Sequence, residues 1–260
     1  MILERPTTSR TTTMPSDARL CAVIQPVQEG LRRVTHDERC LLALLAWFSP
    51  AYPTGAFSYS HGLEQAVEMG RVKDLPTLTD YVLAVLSRGG GWVDAVLFVQ
   101  VWRAAPDAAA VDELAELAGA FRGSAETALE STQQGRAFLE VTRCAWPHPV
   151  LEAFAQRQMG EPIAQCVAAA LACAAHGIEL APALTAYLCA CATSLVSAGA
   201  RLIPLGQTQA QLAIAQLGSQ LPQISERALA CPLEDLGTAA PAVELCCMLH
   251  ETQYMRLFRS

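Results

Sequence analysis

Leu180 to Ala200 reads LAPALTAYLCACATSLVSAGA, without one Asp, Glu, Lys or Arg, and residues 162–178 form a second such stretch just before it. The first is long enough to span a bilayer. It is diluted by alanines, Pro182, Thr185, Ser194 and Ser197, and no basic cluster flanks one side. Two adjacent helices buried in a bundle fit the pair better. Working outward, apolar residues at three- and four-residue spacing, bounded by turn residues, predict further helices over 76–88, 92–104, 107–121, 124–142 and 149–158. Others fall at 162–176, 182–202, 207–217 and 241–252. Proline stands at or near several of the starts, where its missing N–H is harmless. Thr35-His36-Asp37-Glu38 has the form of a capping box and opens a helix that stops at Ser49-Pro50. A short helix follows Gly62 and closes at Gly70. Strand-like alternation is almost absent and no fixed-length repeat is visible. The expectation is an all-α fold, a single-domain bundle of about ten helices over 35–253, with a flexible arm at 1–34 and a docking tail at 254–260.

Composition narrows the function. Of 260 residues, 52% are hydrophobic and 17% charged, enough apolar surface to offset the entropy of ordering. The net charge of −7, with no run of Lys or Arg, argues against nucleic acid as a partner. Ten cysteines are present, but no C-x-x-C occurs, so the common zinc layouts fail. Most of these thiols lie in apolar helical patterns and read as small hydrophobes. The first residues, Met1 to Pro6, lack the apolar core of a signal peptide, and reduced thiols suit the cytoplasm.

Three features ask for more than a core. Ala186, Ala190, Ser194 and Ala198 recur every four residues, a face suited either to internal packing or to a dimer interface. From Leu180 to Ser225, Arg201 is the single charged side chain. It either serves the free carbonyls of a helix end or organises the turn 202–208 that follows. Beyond that turn, Gln207, Gln209, Gln211, Gln216 and Gln220 offer neutral amides that can bond to a partner.

Catalytic motifs come close and fail. Ser58-Tyr59-Ser60-His61-Gly62 has Ser at the first glycine of G-x-S-x-G, and no strand is expected before it. His250-Glu251-Thr252-Gln253-Tyr254 has Tyr where H-E-x-x-H needs its second ligand. Cys246, Cys247 and His250 are better read as packing than as a metal site, and no P-loop is present. No catalytic residue, metal ligand or cofactor is assigned. The last residues alternate Arg with large apolar side chains, so they either fold back on the bundle or dock on a partner.

Three segments together resemble one family, the urease accessory protein UreF. The first, Ser49 to Glu64, reads SPAYPTGAFSYSHGLE and is similar to the family's SPAxPxGxFSYSxGLE. The second, Arg201 to Thr208, reads RLIPLGQT, like its R-L-x-P-L-G-Q-T, and the third, His250 to Ser260, reads HETQYMRLFRS, like its HETQYxRLFxS ending. The resemblance covers roughly residue 40 to the end. Thr54 stands where the family commonly has an aliphatic residue, and Glu126 through Gly135 match only loosely. It implies an all-helical, non-enzymatic chaperone that dimerises, binds UreD (also called UreH) and with it recruits the GTPase UreG. Nickel then enters apo-urease in a GTP-dependent step, and regulation of the GTPase is the alternative main role. Carried onto the matching motifs, the partner-binding residues are Ser58, Tyr59, Ser60, Glu64, Arg201, Gln207, Thr208, Gln211, His250, Glu251, Tyr254, Arg256, Leu257, Phe258, Arg259 and Ser260.

Overall fold

A computed structural model describes residues 34–260. The expected arm at 1–34 therefore lies outside the described residues, except for Val34. The chain divides into two units, Met1–Arg39 and Cys40–Ser260. In the first, the Thr35 N–H reaches the Glu38 carboxylate at 2.9 Å and Thr35 Oγ1 accepts the Glu38 N–H at 3.3 Å, the capping box expected there.

The described residues are all-α. In chain order the helices are α1 (His36–Trp47), α2 (Leu63–Glu68), α3 (Leu75–Arg88), α4 (Gly90–Ala104), α5 (Ala108–Ala120) and α6 (Ala125–Ala145). They continue with α7 (Pro149–Arg157), α8 (Gln165–Ala175), α9 (Leu180–Leu202), α10 (Gln207–Gly218), α11 (Leu221–Ala230) and α12 (Pro241–His250). Local chemistry sets many of the starts. Asp74 and Thr77 close a capping box on α3, Ser124 and Thr127 do so on α6, and Asp107 caps α5. α11 is absent from the sequence reading although its signals were present: Pro222 in the first turn, and Leu221, Ile224, Ser225 and Ala228 buried at helical spacing.

Two helices form the centre. α4 buries residues on every side, from Trp92 through Val101, and α8 buries an unbroken run from Cys166 to Cys173. Helices apolar all round belong inside. The small Ala and Cys side chains of α8 let α4 and α6 pack closely on it. At Gly135 of α6, a Cβ would lie 2.0 Å from the Ile163 carbonyl oxygen just ahead of α8, so only glycine permits this approach.

α9, the charge-free helix, packs on α3, α4, α10 and α11. Its small-residue stripe is buried at one end and half-buried along the rest. Ala198 is buried, while Ala190 and Ser194 line a recess of about 110 Å³ with Tyr52 and Tyr187. Ala186 is half-buried. The face α9 turns fully outward carries Thr185, Cys189, Ser197 and Arg201.

One ion pair crosses this interior. Arg122, in the α5–α6 turn, reaches Asp94 of α4 at 2.8 Å, and the Tyr187 hydroxyl of α9 donates to the other Asp94 oxygen at 3.3 Å. Burial works against the Arg122 charge, and Asp94 outweighs it, holding the guanidinium protonated.

Candidate functional site

The first and third motifs meet at one end of the bundle, and Arg201 of the second joins them there. The loop before α2 turns sharply, because His61 and Gly62 both take left-handed backbone, at φ 54° and 73°. For a non-glycine residue this costs roughly 1–2 kcal/mol. The turn is held from both sides: the Tyr81 hydroxyl donates to the His61 carbonyl at 3.0 Å, and the His61 N–H reaches Ser260 Oγ at 3.4 Å. At Gly62 a Cβ would fall 2.7 Å from the Cys247 nitrogen, so α2 begins directly against the α12 backbone.

Onto this turn residues 251–260 fold back as a strap. The Arg259 N–H donates to the Ser58 carbonyl at 2.8 Å, and the Ser60 N–H to the Ser260 carbonyl at 2.9 Å. The Ser60 hydroxyl donates to that same Ser260 oxygen, while Ser260 Oγ donates to Glu130 at 2.7 Å. Glu64 is the centre of the arrangement. Its carboxylate accepts the Leu257 N–H at 2.7 Å and the Phe258 N–H at 2.9 Å, and lies 3.3 Å from His250 Nε2. Charge-assisted bonds of this kind are the strong ones. The other nitrogen of His250 lies 2.6 Å from Glu126, whose second oxygen receives Arg256 at 2.5 Å.

Side-chain packing completes the seat. Phe258 is 4% exposed, and the Arg201 guanidinium lies over its ring at 4.4 Å. Burying that ring contributes about 2 kcal/mol. Arg259 sits over Tyr59 at 5.7 Å, and the Tyr59 hydroxyl donates to Gln133 at 2.5 Å. Glu251 accepts the Ala125 N–H at 2.7 Å, serving the positive end of α6.

Several residues expected to contact a partner thus lie inside. Ser60, Glu64, His250, Phe258 and Ser260 are buried, so in this conformation they hold the strap and offer no surface. The tail does not fray, because its amides and Phe258 are satisfied inside. Its outward side remains: Tyr254 is 99% exposed and Leu257 65%, with Met255 open beside them. Gln207, Thr208 and Gln211 stand exposed on α10, apart from the strap's hydrogen bonds. Arg201 bonds the Ser197 carbonyl at 3.2 Å, as a helix-end charge would, and also covers Phe258. The turn after it closes on its own groups, Leu205 N–H to Ile203 O and Gly206 N–H to Gln209 Oε1. Arg201→Ala is accordingly expected to lower amide-exchange protection at Phe258 up to about tenfold, the scale of a part-exposed cation–π contact, with the bundle's unfolding midpoint unchanged. Equal protection in the variant would reduce Arg201 to a helix-end charge.

The sequence reading missed Glu126 and Glu130, which grip the strap from α6, and Gln133, which holds Tyr59 of the loop beneath it. Their spacing of four and three places them on one helix face, and that was the available signal. Cys246 and Cys247 are buried, and burial raises both thiols above their ordinary value. His250 spends both ring nitrogens on carboxylates, and among the described residues no three His, Cys, Asp or Glu side chains gather to hold a metal.

An all-α bundle that straps residues 251–260 onto a conformationally strained loop through buried carboxylates is the class of protein defined here. The UreF family model matches residues 72–218, which include the second motif. A protein of Granulibacter bethesdensis named urease accessory protein UreF is 51% identical over 225 residues, 86% of this chain and 95% of its own length. Proteins of the same name from Rhodopseudomonas palustris strain BisB5 and Bradyrhizobium diazoefficiens are 47% and 42% identical, covering 85% and 91% of this chain and 91% and 98% of their own. The chain belongs to the UreF family.

Proposed function

We propose that this chain is a non-catalytic scaffold of urease maturation in the cytoplasm. With UreD (UreH) it recruits the GTPase UreG, and the assembly delivers nickel, as cargo, into apo-urease in a GTP-dependent step. A homodimer of the chain is part of the proposal. The observation that carries the reading is the strap's division of labour. Its backbone and Phe258 are bound inside, while Tyr254, Met255 and Leu257 face outward. α12, which leads into it, also exposes Leu245, Met248 and Leu249 at the spacing of one helix face. Large apolar and aromatic side chains on an ordered segment suit a partner's pocket, because their ordering entropy is already spent.

Light-scattering chromatography of the chain co-expressed with its cognate UreD and UreG tests this. A chain ending at Gln253 is expected to lose the complex while keeping nearly all of its helix content. A truncated chain that still binds UreD with full affinity would sink the docking role of the strap.

A further inference from the structure

The geometry points to His250 as a proton-dependent pin: its doubly protonated ring joins Glu64 to Glu126 and so holds the strap down. The ring is fully buried, with one carboxylate 2.6 Å from Nδ1 and another 3.3 Å from Nε2. Only the imidazolium has a hydrogen to give at each nitrogen; the neutral ring turns a lone pair toward one of the two. The charges point the same way. Glu64, Glu126, Arg256 and a protonated His250 balance, and loss of the proton leaves an uncompensated carboxylate in a poorly solvated place. Glu64 is also the acceptor for the Leu257 and Phe258 amides, so disturbing its partner disturbs the strap directly.

The other titratable and charged groups around the ring do not supply a substitute. The loop before α2 brings His61, α6 brings Glu130 as well as Glu126, and the strap brings Arg256 and Arg259. α12 itself carries Glu244, Glu251 and the thiols of Cys246 and Cys247, which burial keeps protonated. His61 faces Glu130, which also accepts the Ser260 hydroxyl of the strap. Burial acts to lower the His61 pKa, but the facing Glu130, with Asp94 and Glu244 behind, outweighs burial and raises it above the ordinary histidine value. A histidine raised in this way contributes stability at low pH that is lost as pH rises through its folded value. Rising pH is therefore expected to loosen the strap. The consequence for partner capture rests on the docking role proposed above; the pin itself does not.

The test uses the full chain alone. Ring nitrogen signals of His250 and amide protection of Leu257 and Phe258, corrected for intrinsic exchange, are followed by NMR from about pH 6 to about pH 9, with α4 amides as the control. The expected result is a shared midpoint: as the ring loses its proton, strap protection falls at least about tenfold while α4 is unchanged. In His250→Gln, protection is expected to be low at the acid end and nearly flat with pH. Strap protection that is flat with pH in the wild-type chain, or that follows a midpoint different from that of the ring, overturns the proposal; so does a His250→Gln chain that keeps the wild-type dependence. If His250→Gln fails to fold, the wild-type co-titration decides alone. A pH-flat strap whose truncation still abolishes the UreD complex removes the pin and leaves the docking role. A strap that co-titrates with His250, yet whose removal leaves UreD binding intact, does the reverse.

Discussion

Glu64→Ala is expected to free the strap while leaving the bundle folded. The carboxylate accepts two backbone N–H groups of the strap and faces His250, so the substitution removes three contacts at once. Bonds to a charged acceptor contribute about 1.5–3 kcal/mol each, and the amides of Leu257 and Phe258 would be left without an acceptor if they stayed in place. They escape that cost by detaching, and Phe258 then loses its buried seat. Protection of both amides is expected to fall at least about a hundredfold, equivalent to about 3 kcal/mol of local stability. Trypsin cleavage after Arg256 and Arg259 is expected to quicken in parallel. Glu64→Gln keeps one acceptor oxygen and is expected to fall between the two. Unchanged protection at both amides in Glu64→Ala would mean that Phe258 packing and the Ser58–Ser60 bonds hold the strap without the carboxylate.

The other large effect is global. Arg122→Met leaves Asp94 in the interior without its cation, beside the Tyr187 hydroxyl and the Cys166 thiol. Breaking a buried pair by removing one partner typically costs 3–5 kcal/mol, and because Asp94 keeps some access to solvent the lower end, about 3 kcal/mol, is expected. Urea unfolding checks this as a lower midpoint at unchanged slope. The double variant Arg122→Met with Asp94→Leu is expected to recover most of the loss, since an apolar pair removes the stranded charge. A single variant as stable as the wild type would show that water, and not Arg122, solvates Asp94.

Much of the fold was legible because its signals are local. The capping groups Thr35, Asp74, Asp107 and Ser124 act within three residues, and the apolar spacing of α3, α4 and α9 falls within a few turns. α11 was legible too, from Pro222 and the Leu221–Ala228 spacing. The site was legible only as a set of residues. Ser58 to Glu64, Arg201 and the strap could each be singled out, but not that Ser60, Glu64 and His250 turn inward.

The sequence by itself determined an all-α bundle with an apolar centre, a charge-free α9, and a last segment too apolar to leave in water without a seat. Periodicity, caps and charge act over short range, and each residue carries its share of that information. The tertiary structure alone decided where the segment sits and which groups hold it. Glu64 meets Leu257 and Phe258 across some 190 residues of chain, and His250 meets Glu126 across more than a hundred. Such pairings exist only after α2, α6 and α12 have packed together, because a carboxylate takes whatever donors the burial of its neighbours brings within reach. The same packing buried Ala198 of the α9 stripe and left Tyr254, Met255 and Leu257 outside.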